Sequence, residues 1–189
     1  LLIISGSKKY PGSLGLCSEA ASRAGAGFIS ILPESAKILP TFDLVPIQSL
    51  TVKNINDFKV IAIGPGLTNK NRFRQQMNLI KNKFAGFVVI DASALKWLSE
   101  EKKPHRLNQN FVLTPHEGEM AQLINRTSTW VHNNRKEALE LASNKYECQI
   151  LLKGPETLIA NGESFFVVKN GNPALAKAGT GDILTGLIS

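Results

Sequence analysis

The stretch KAGTGDILTG at residues 177–186 places two glycines and one acid at the start of an apolar helical pattern. Gly179 and Gly181 let the backbone approach an anion closely, and the first amides of a helix point toward such an anion. We therefore predict an anion hole for a phosphate at Gly179, Thr180 and Gly181. Asp182 follows in the same turn, where the helix dipole favours its carboxylate form. A carboxylate there can take the proton of a hydroxyl that attacks phosphorus, although an aspartate that merely caps the helix has the same pattern.

A second loop, KGPET at 153–157, follows a predicted strand. Lys153 offers a cation, Thr157 offers a hydroxyl, and Gly154 allows close approach of the backbone. These features predict contact with nucleotide phosphates, and an ordinary surface turn is the alternative. The chain lacks the pattern GxxxxGK(S/T), which excludes a P-loop. It also has no GxGxxG after its first strand, which leaves an ordinary dinucleotide site unsupported.

A third segment, LTPHEGEM at 113–120, holds one histidine and two acids. His116 and Glu119 have the HxxE spacing, which without a second nearby histidine is weak evidence for zinc. We interpret His116 as a hydrogen-bonding contact to substrate, and the acids as candidate partners of magnesium through water. For Glu117 a helix start enriched in acids is the alternative, because the helix dipole favours negative charge there.

Short apolar runs alternate with helical patterns along most of the chain. Strands are predicted at 1–5, 27–32, 59–67, 86–91, 110–113 and 148–154, and helices at 13–25, 69–84 and 132–146. Asn161–Gly162 marks a hairpin between two further strands within 157–168. The alternation predicts an α/β fold with a mostly parallel sheet, helices on both faces, and that antiparallel hairpin near one end. Ligands of such sheets bind beyond the carboxyl ends of the strands, where the three loops above lie.

The composition limits the class of protein. The chain has 189 residues, of which 43% are hydrophobic, so a single domain with a buried core is expected. A net charge of +7 and a pI near 9.5 favour anionic partners. Phosphorylated small molecules fit better than nucleic acid, because no RNA-binding aromatic signature is present. The densest basic groups, KNRFR at 70–74 and KNK at 81–83, are predicted to form a solvated helix face.

The cysteine pattern is typical of a reducing compartment. Cys17 and Cys148 lie far apart with no CxxC spacing, which argues against zinc sites and disulfide frameworks, so both are predicted to be buried. No apolar run reaches the roughly 20 residues that cross a bilayer, so no membrane partner is expected. His105 and His132 belong to no motif and are predicted to be surface residues.

Seven motifs occur in one order over nearly the whole chain: GSKKYPGS, AASRAGAG, GPGL, DASAL, LTPHEGE, LLKGPET and GNPALAKAGTGDILTG. In this order they resemble the ADP/ATP-dependent NAD(P)H-hydrate dehydratases, a branch of the ribokinase-like superfamily. The resemblance implies a three-layer αβα ribokinase-like fold in a single domain over 1–189. It also implies a cytoplasmic homo-oligomer, of the tetrameric kind common in the family, that serves metabolite repair.

The resemblance further implies a reaction and the residues that carry it. ADP or ATP, with Mg²⁺, would phosphorylate the added hydroxyl of hydrated NADH or NADPH, and loss of phosphate would restore the cofactor. Asp182 would be the base on the hydroxyl, and the amides of Gly179–Gly181 would hold the phosphoryl group. The remaining assignments are Gly12, Ser13, Gly66, His116 and Asp182 for the hydrated cofactor, Lys153, Gly154, Pro155, Glu156, Thr157 and Gly181 for the nucleotide, and Glu119 for magnesium through water.

Three positions depart from the family pattern. Ser93 replaces the second acid of DADAL, which leaves the role of that position open. Ser13 stands where alanine is usual, and Thr68 stands where glycine is common. The family begins before LLIISGS and continues beyond Ser189, so the sequence is expected to be part of a longer protein. The preference for ADP or ATP, and an epimerase domain or partner for the hydrate, are left open.

Two other functions are compatible with parts of the pattern. A ribokinase-like kinase of a small alcohol or vitamin precursor shares the fold, the anion hole and the aspartate, but LTPHEGE argues against it. A non-catalytic nucleotide sensor would need neither Asp182 nor an intact GTGD. Release of free phosphate, rather than of a phosphorylated product, separates the dehydratase from the kinase.

Overall fold

The structure, a computed structural model, describes residues 1–35, 44–101, 106–162 and 164–189. These residues form two units, one of Leu1–Ala94 with Gly179–Ser189 and one of Leu95–Ala178. The first unit holds the start of the chain and the GTGD motif, and the second holds LTPHEGE and LLKGPET. His105, which the sequence predicts to be a surface residue, lies outside the described residues.

Strands and helices alternate along the described residues. In chain order they are β1 (Leu2–Ile4), α1 (Gly12–Arg23), β2 (Ile29–Ile31), β3 (Leu44–Pro46), β4 (Val60–Ile63), α2 (Lys70–Lys83), β5 (Phe87–Ile90), α3 (Ser93–Ser99), β6 (Phe111–Leu113), α4 (Glu117–Ile124), α5 (Ser128–Asn133), α6 (Arg135–Tyr146), β7 (Gln149–Leu152), β8 (Thr157–Asn161), β9 (Ser164–Val168) and α7 (Thr180–Leu187). Short 3₁₀ turns cover Ile55–Asp57 and Pro173–Leu175. None of these described helices has both the length and the apolar character needed to cross a bilayer.

The first unit is built on five parallel strands. Their order is β3, β2, β1, β4, β5, and every neighbouring pair runs parallel. The strands are short and almost wholly apolar, as expected where helices cover both faces of a parallel sheet. The strands predicted at 1–5, 27–32, 59–67 and 86–91 are therefore confirmed.

Helix α1 packs on this sheet through a buried apolar cluster. Leu14 and Cys17 lie in one cluster with Ile3, Ile29 and Val89 of the strands. Helix α7 packs in turn on α1, and the approach is very close. A Cβ atom on Gly186 of α7 would lie 2.2 Å from the Cys17 carbonyl oxygen. Only glycine permits this distance, so the packing of the two helices fixes the position of α7.

The second unit combines one parallel and two antiparallel pairings. The strand order is β6, β7, β8, β9, with β6 parallel to β7, β7 antiparallel to β8, and β8 antiparallel to β9. The hairpin predicted at Asn161–Gly162 is confirmed, since Asn161 pairs with Ser164 and Gly162 has a φ of +60°. The predicted α/β class, with a mostly parallel sheet and an antiparallel hairpin, is confirmed.

The helical pattern predicted over 132–146 corresponds to α6, and a separate short helix, α5, precedes it. Helix α5 begins after Thr127, whose hydroxyl accepts a hydrogen bond from the Trp130 amide at 3.1 Å. The chain breaks at Asn134, which has φ −133° and ψ 43°, and α6 begins at the next residue. The apolar residues at 139, 142 and 146 all lie in α6, so their spacing could not predict α5.

Candidate functional site

The start of α7 has the geometry of an anion-binding site. Gly179 precedes the helix with a φ of +88°, a conformation that favours glycine, and a Cβ atom there would lie 2.6 Å from Leu16 Cδ1. In the part of the chain that the structure describes, the amides of Thr180 and Gly181 have no protein acceptor. These amides are the first donors of the helix and are oriented along its dipole, so they can bind a phosphate oxygen.

Asp182 is the third residue of α7 and does not occupy the cap position, which belongs to Gly179. One turn further along the helix, Thr185 Oγ1 donates a hydrogen bond to Asp91 Oδ2 at 2.9 Å, and both residues are almost fully buried. The hydrogen bond anchors the helix that carries Asp182 to the end of β5.

The thiol of Cys17 lies within the electrostatic reach of both carboxylates. Burial is the main cause that raises the pKa of the Cys17 thiol, and the negative charges of Asp182 and Asp91 raise this pKa further. Cys17 is fully buried in α1. The sequence motifs did not predict the contact between Asp91 and Thr185, because the two residues are 94 positions apart in the chain.

Both cysteines should resist alkylation in the folded protein. Burial raises the pKa of Cys148 to about 12, it also raises that of Cys17, and neither side chain is exposed. Because the thiolate is the nucleophile, we expect no reaction with iodoacetamide at pH 8 in the native state and two modified thiols after denaturation. Mass spectrometry measures the number of adducts. Modification of either cysteine in the native protein would contradict the burial described here.

The turns predicted to contact the hydrated cofactor touch each other in the first unit. Gly66 has a φ of +69°, and a Cβ atom on it would lie 2.8 Å from Ser13 Cβ and 2.9 Å from the Tyr10 carbonyl oxygen. Gly12 begins α1 next to Ser13 and has open space around its Cα atom. The structure therefore brings Gly12, Ser13 and Gly66 together, and their role in binding stays a prediction.

A carboxylate braces the GPGL turn and accounts for one departure from the family pattern. Glu34 accepts hydrogen bonds from the amides of Thr68 at 2.8 Å and Asn69 at 2.7 Å, and also from the Thr68 hydroxyl. Arg72 donates to the Glu34 carbonyl at 2.6 Å. Thr68, where glycine is common, thus gives Glu34 an additional donor. Nothing in the structure explains Ser93, which begins α3.

In the second unit His116 caps α4. Its Nδ1 accepts hydrogen bonds from the amides of Gly118 at 3.0 Å and Glu119 at 3.3 Å, while Glu119 Oε2 accepts from the His116 amide at 2.9 Å. This reciprocal pair is a capping box. Because Nδ1 accepts, the proton of the neutral ring is on Nε2, which lies 3.5 Å from Glu119 Oε2 on a side chain that is 60% exposed. The exposed Nε2–H group can donate to a substrate.

The carboxylate of Glu119 is already engaged by protein groups. Besides the His116 amide, it faces the Lys153 ammonium at 3.7 Å, and both side chains are mostly buried. No group of three or more potential metal ligands occurs among the described residues. The described residues therefore supply no set of ligands that would by itself enclose Mg²⁺, an ion that is usually held by one or two carboxylates together with phosphates and water.

The loop KGPET is tied to the segment before α4. The Lys153 amide donates to the Pro115 carbonyl at 2.8 Å, and Thr157 Oγ1 donates to the Gly154 carbonyl at 3.4 Å. The second unit thus brings together His116, Glu119 and the predicted nucleotide residues Lys153, Gly154, Pro155, Glu156 and Thr157. The first unit brings together Gly179, Thr180, Gly181 and Asp182.

Glu117 has a structural partner, in agreement with its alternative interpretation as part of an acidic helix start. Its carboxylate forms an ion pair with Arg135 and lies 3.1 Å from His132 Nδ1. The His132 side chain is 70% exposed, which confirms it as a surface residue. Arg135 could not be identified from the sequence, because its partners lie in two other segments, at Glu117 and at 152–156.

Comparison with known proteins places these motifs in one family. The profile of the NAD(P)H-hydrate dehydratase family matches residues 1–189. The bifunctional NAD(P)H-hydrate repair enzyme Nnr of Coxiella burnetii is 30% identical over 100% of this chain and 40% of its own length. The ADP-dependent (S)-NAD(P)H-hydrate dehydratase of Nitrosopumilus maritimus is 29% identical over 100% of this chain and 71% of its own. The chain thus spans about 40% of the length of the curated bifunctional relatives that it matches.

A solved structure supports the same assignment. The ADP/ATP-dependent NAD(P)H-hydrate dehydratase from Bacillus subtilis, co-crystallized with ATP/Mg²⁺ and soaked with CoA, is 30% identical to this chain. It superposes with a TM-score of 0.81 over 99% of this chain and 71% of its own. This match confirms the predicted ribokinase-like fold. With a family profile that covers it from the first residue to the last, the chain belongs to the NAD(P)H-hydrate dehydratase family.

Proposed function

We propose that this protein uses an adenine nucleotide to dehydrate hydrated NADH and NADPH, and so returns damaged cofactor to its reduced form. The observation that carries the proposal is the start of α7, where the carboxylate of Asp182 shares one helical turn with two amides that have no acceptor among the described residues. An anion hole beside a base is what phosphoryl transfer to a hydroxyl requires. The family membership of the chain favours the hydrated cofactor as the molecule that carries this hydroxyl.

The proposed chemistry explains why a dehydration should consume a nucleotide. Hydroxide is a poor leaving group and phosphate is a good one. Asp182 takes the proton of the ring hydroxyl, whose oxygen attacks the terminal phosphorus of the nucleotide. The bond from that phosphorus to its bridging oxygen breaks, so that ATP leaves as ADP, or ADP as AMP. The carbon–oxygen bond then breaks with loss of phosphate, and loss of a proton from the neighbouring carbon restores the double bond.

The site residues take the following parts in this proposal. The amides of Thr180 and Gly181, with Gly179 before them, hold the transferred phosphoryl group. The residues that we assign to the hydrated cofactor are Gly12, Ser13, Gly66 and Asp182 in the first unit, with Asp182 acting on the hydroxyl, and His116 in the second unit. Those that we assign to the nucleotide are Lys153, Gly154, Pro155, Glu156 and Thr157 in the second unit, and Gly181 in the first. Glu119 would hold magnesium only through water, and the metal would neutralise charge on the nucleotide phosphates.

Relatives support both ADP and ATP as the phosphoryl donor. The Nitrosopumilus maritimus enzyme is named ADP-dependent, and the Bacillus subtilis enzyme is named ADP/ATP-dependent. The bifunctional names of other relatives support a second repair activity, which we assign to an epimerase domain or partner for the hydrate. A cytoplasmic location and a homo-oligomeric state, with a tetramer as the expected form, remain predictions.

The test is to incubate the protein with hydrated NADH, magnesium and either ADP or ATP. We expect the absorbance of reduced nicotinamide to return, with one phosphate released for each cofactor restored. The nucleotide that supports the faster recovery is the donor. If phosphate stays on an organic product and no reduced nicotinamide appears, the protein is instead a kinase of a small alcohol. If nucleotide binds without being consumed, it is a sensor.

A further inference from the structure

Arg135 stands out because its side chain is mostly buried although the residue lies outside the seven motifs quoted above. It is the first residue of α6, and its side chain is only 16% exposed. The guanidinium pairs with the Glu117 carboxylate at the start of α4. It also donates to three carbonyl oxygens, those of Glu156 at 2.9 Å and of Leu152 and Lys153 at 3.4 Å each. One cation thus holds both ends of the KGPET loop.

The glycine of this loop fits against the same guanidinium. A Cβ atom on Gly154 would lie 2.6 Å from Nη1 and 2.6 Å from Nη2 of Arg135. The guanidinium therefore packs directly on the backbone of Gly154, where any side chain would displace it. Gly154 was predicted from the sequence to let a ligand approach, and the structure adds a second reason for glycine on the side of the loop that faces Arg135.

The hydrogen bonds fix the direction of the loop amides. In a trans peptide the carbonyl and the amide hydrogen point in opposite directions. Because the Lys153 carbonyl points toward Arg135, the amide hydrogen of Gly154 in the same peptide points away from it. The Leu152 carbonyl is also turned to Arg135, and the amide of that peptide, on Lys153, donates to the Pro115 carbonyl.

We propose that Arg135 is a positioning residue for nucleotide binding. It orients the KGPET loop so that the Gly154 amide is presented to a phosphate, and its pair with Glu117 ties this loop to the helix capped by His116. The inference rests on the proposed function of the loop as a nucleotide site. Arginine suits the role because its planar fork can bind several acceptors at once, which a lysine ammonium cannot do in the same geometry.

The test is the affinity for ADP and ATP, measured by isothermal titration calorimetry without the hydrated cofactor. We expect Arg135→Ala to weaken nucleotide binding about tenfold, since charged hydrogen bonds that orient the loop are lost. Gly154→Ala should weaken it similarly, because its methyl group displaces the guanidinium. The double variant should be no weaker than the worse single variant, because both changes remove the same interaction. Lys136→Ala, which removes a neighbouring charge on α6, is the matched control and should bind as wild type does.

A conservative variant separates positioning from a general structural role. Arg135→Lys keeps the charge opposite Glu117 but loses the fork to the carbonyls, so we expect it to melt near wild type and still bind nucleotide several-fold more weakly. In turnover, the KM for nucleotide should rise while kcat at saturation changes little. If Arg135→Ala does not fold, as judged by circular dichroism, Arg135→Lys and Gly154→Ala carry the test.

The outcomes distinguish this inference from the function on which it rests. If the wild-type protein binds neither ADP nor ATP, the proposed function fails. If wild type binds and folded Arg135→Lys and Gly154→Ala bind equally well, the positioning role is wrong. Additive losses in the double variant would also overturn it, because Arg135 and Gly154 would then act separately.

Discussion

Replacing Asp182 with asparagine is expected to lower kcat for the nucleotide-dependent recovery of NADH about a hundredfold to ten-thousandfold, the range that a general base contributes. Asparagine has the same shape and can still interact with polar neighbours, but it cannot accept the hydroxyl proton. The amides of Thr180 and Gly181 remain in place, so nucleotide affinity should change little. The measurements are kcat at saturating nucleotide and hydrated cofactor, and the dissociation constant for the nucleotide.

The matched control for this variant is Asp57→Asn. Asp57 is an exposed acid in a 3₁₀ turn of the same unit, far along the chain from the GTGD motif, and its replacement should leave kcat within twofold. If Asp182→Asn retains most of the wild-type kcat but melts at a lower temperature, Asp182 serves only the helix dipole. Loss of activity together with unchanged folding and nucleotide binding supports its role as the base.

Local signals in the sequence account for most of the fold. Four of the five strands of the first unit were predicted from apolar runs, and the hairpin from Asn161–Gly162, because each of these patterns is a property of adjacent residues. The fifth strand, β3 (Leu44–Pro46), was not predicted. The break between α5 and α6 was not predicted. It depends on the backbone conformation of Asn134 and on the helix cap at Thr127. Both are polar residues in a polar segment, so the sequence does not mark them as a break.

The motifs of the site could be predicted for the same reason, but the groups that hold them could not. Gly179 and Asp182 are neighbours in the sequence, and their chemistry follows from glycine next to an acid at a helix start. The bond between Thr185 and Asp91, and the contacts of Arg135, join segments far apart in the chain. A single sequence gives no signal for such pairs, since threonine and arginine at those positions are ordinary helix residues.

A single sequence also cannot show which glycines are required by close packing. In α1 and α7, Gly15 and Gly186 both interrupt helical patterns, and the sequence does not distinguish them. In the structure a Cβ atom on Gly15 would meet nothing within 4 Å, whereas one on Gly186 would lie 2.2 Å from the Cys17 carbonyl oxygen and 2.9 Å from Ala20 Cβ. The two glycines should therefore respond in opposite directions to the same substitution.

Gly186→Ala is expected to destabilise the protein by about 1–3 kcal/mol, the usual cost of overpacking a tight contact. The helix propensity of alanine offsets this by only about 0.5–1 kcal/mol. Gly15→Ala, the matched control, gains the propensity without the clash and should raise the free energy of unfolding by about that smaller amount. Urea unfolding measures both values.

The Gly186 substitution should also affect catalysis, because α7 carries Asp182. A methyl group against the Cys17 carbonyl moves α7 away from α1, and Asp182 lies one helical turn before Gly186. We therefore expect kcat to fall in Gly186→Ala at temperatures where the protein is fully folded, and to stay near wild type in Gly15→Ala, since small misplacements of a catalytic group are costly. Equal stabilisation by the two alanines would mean that α1 and α7 do not approach as closely as described. Destabilisation of Gly186→Ala with unchanged kcat would mean that the helix contact supports the fold without setting the position of the base.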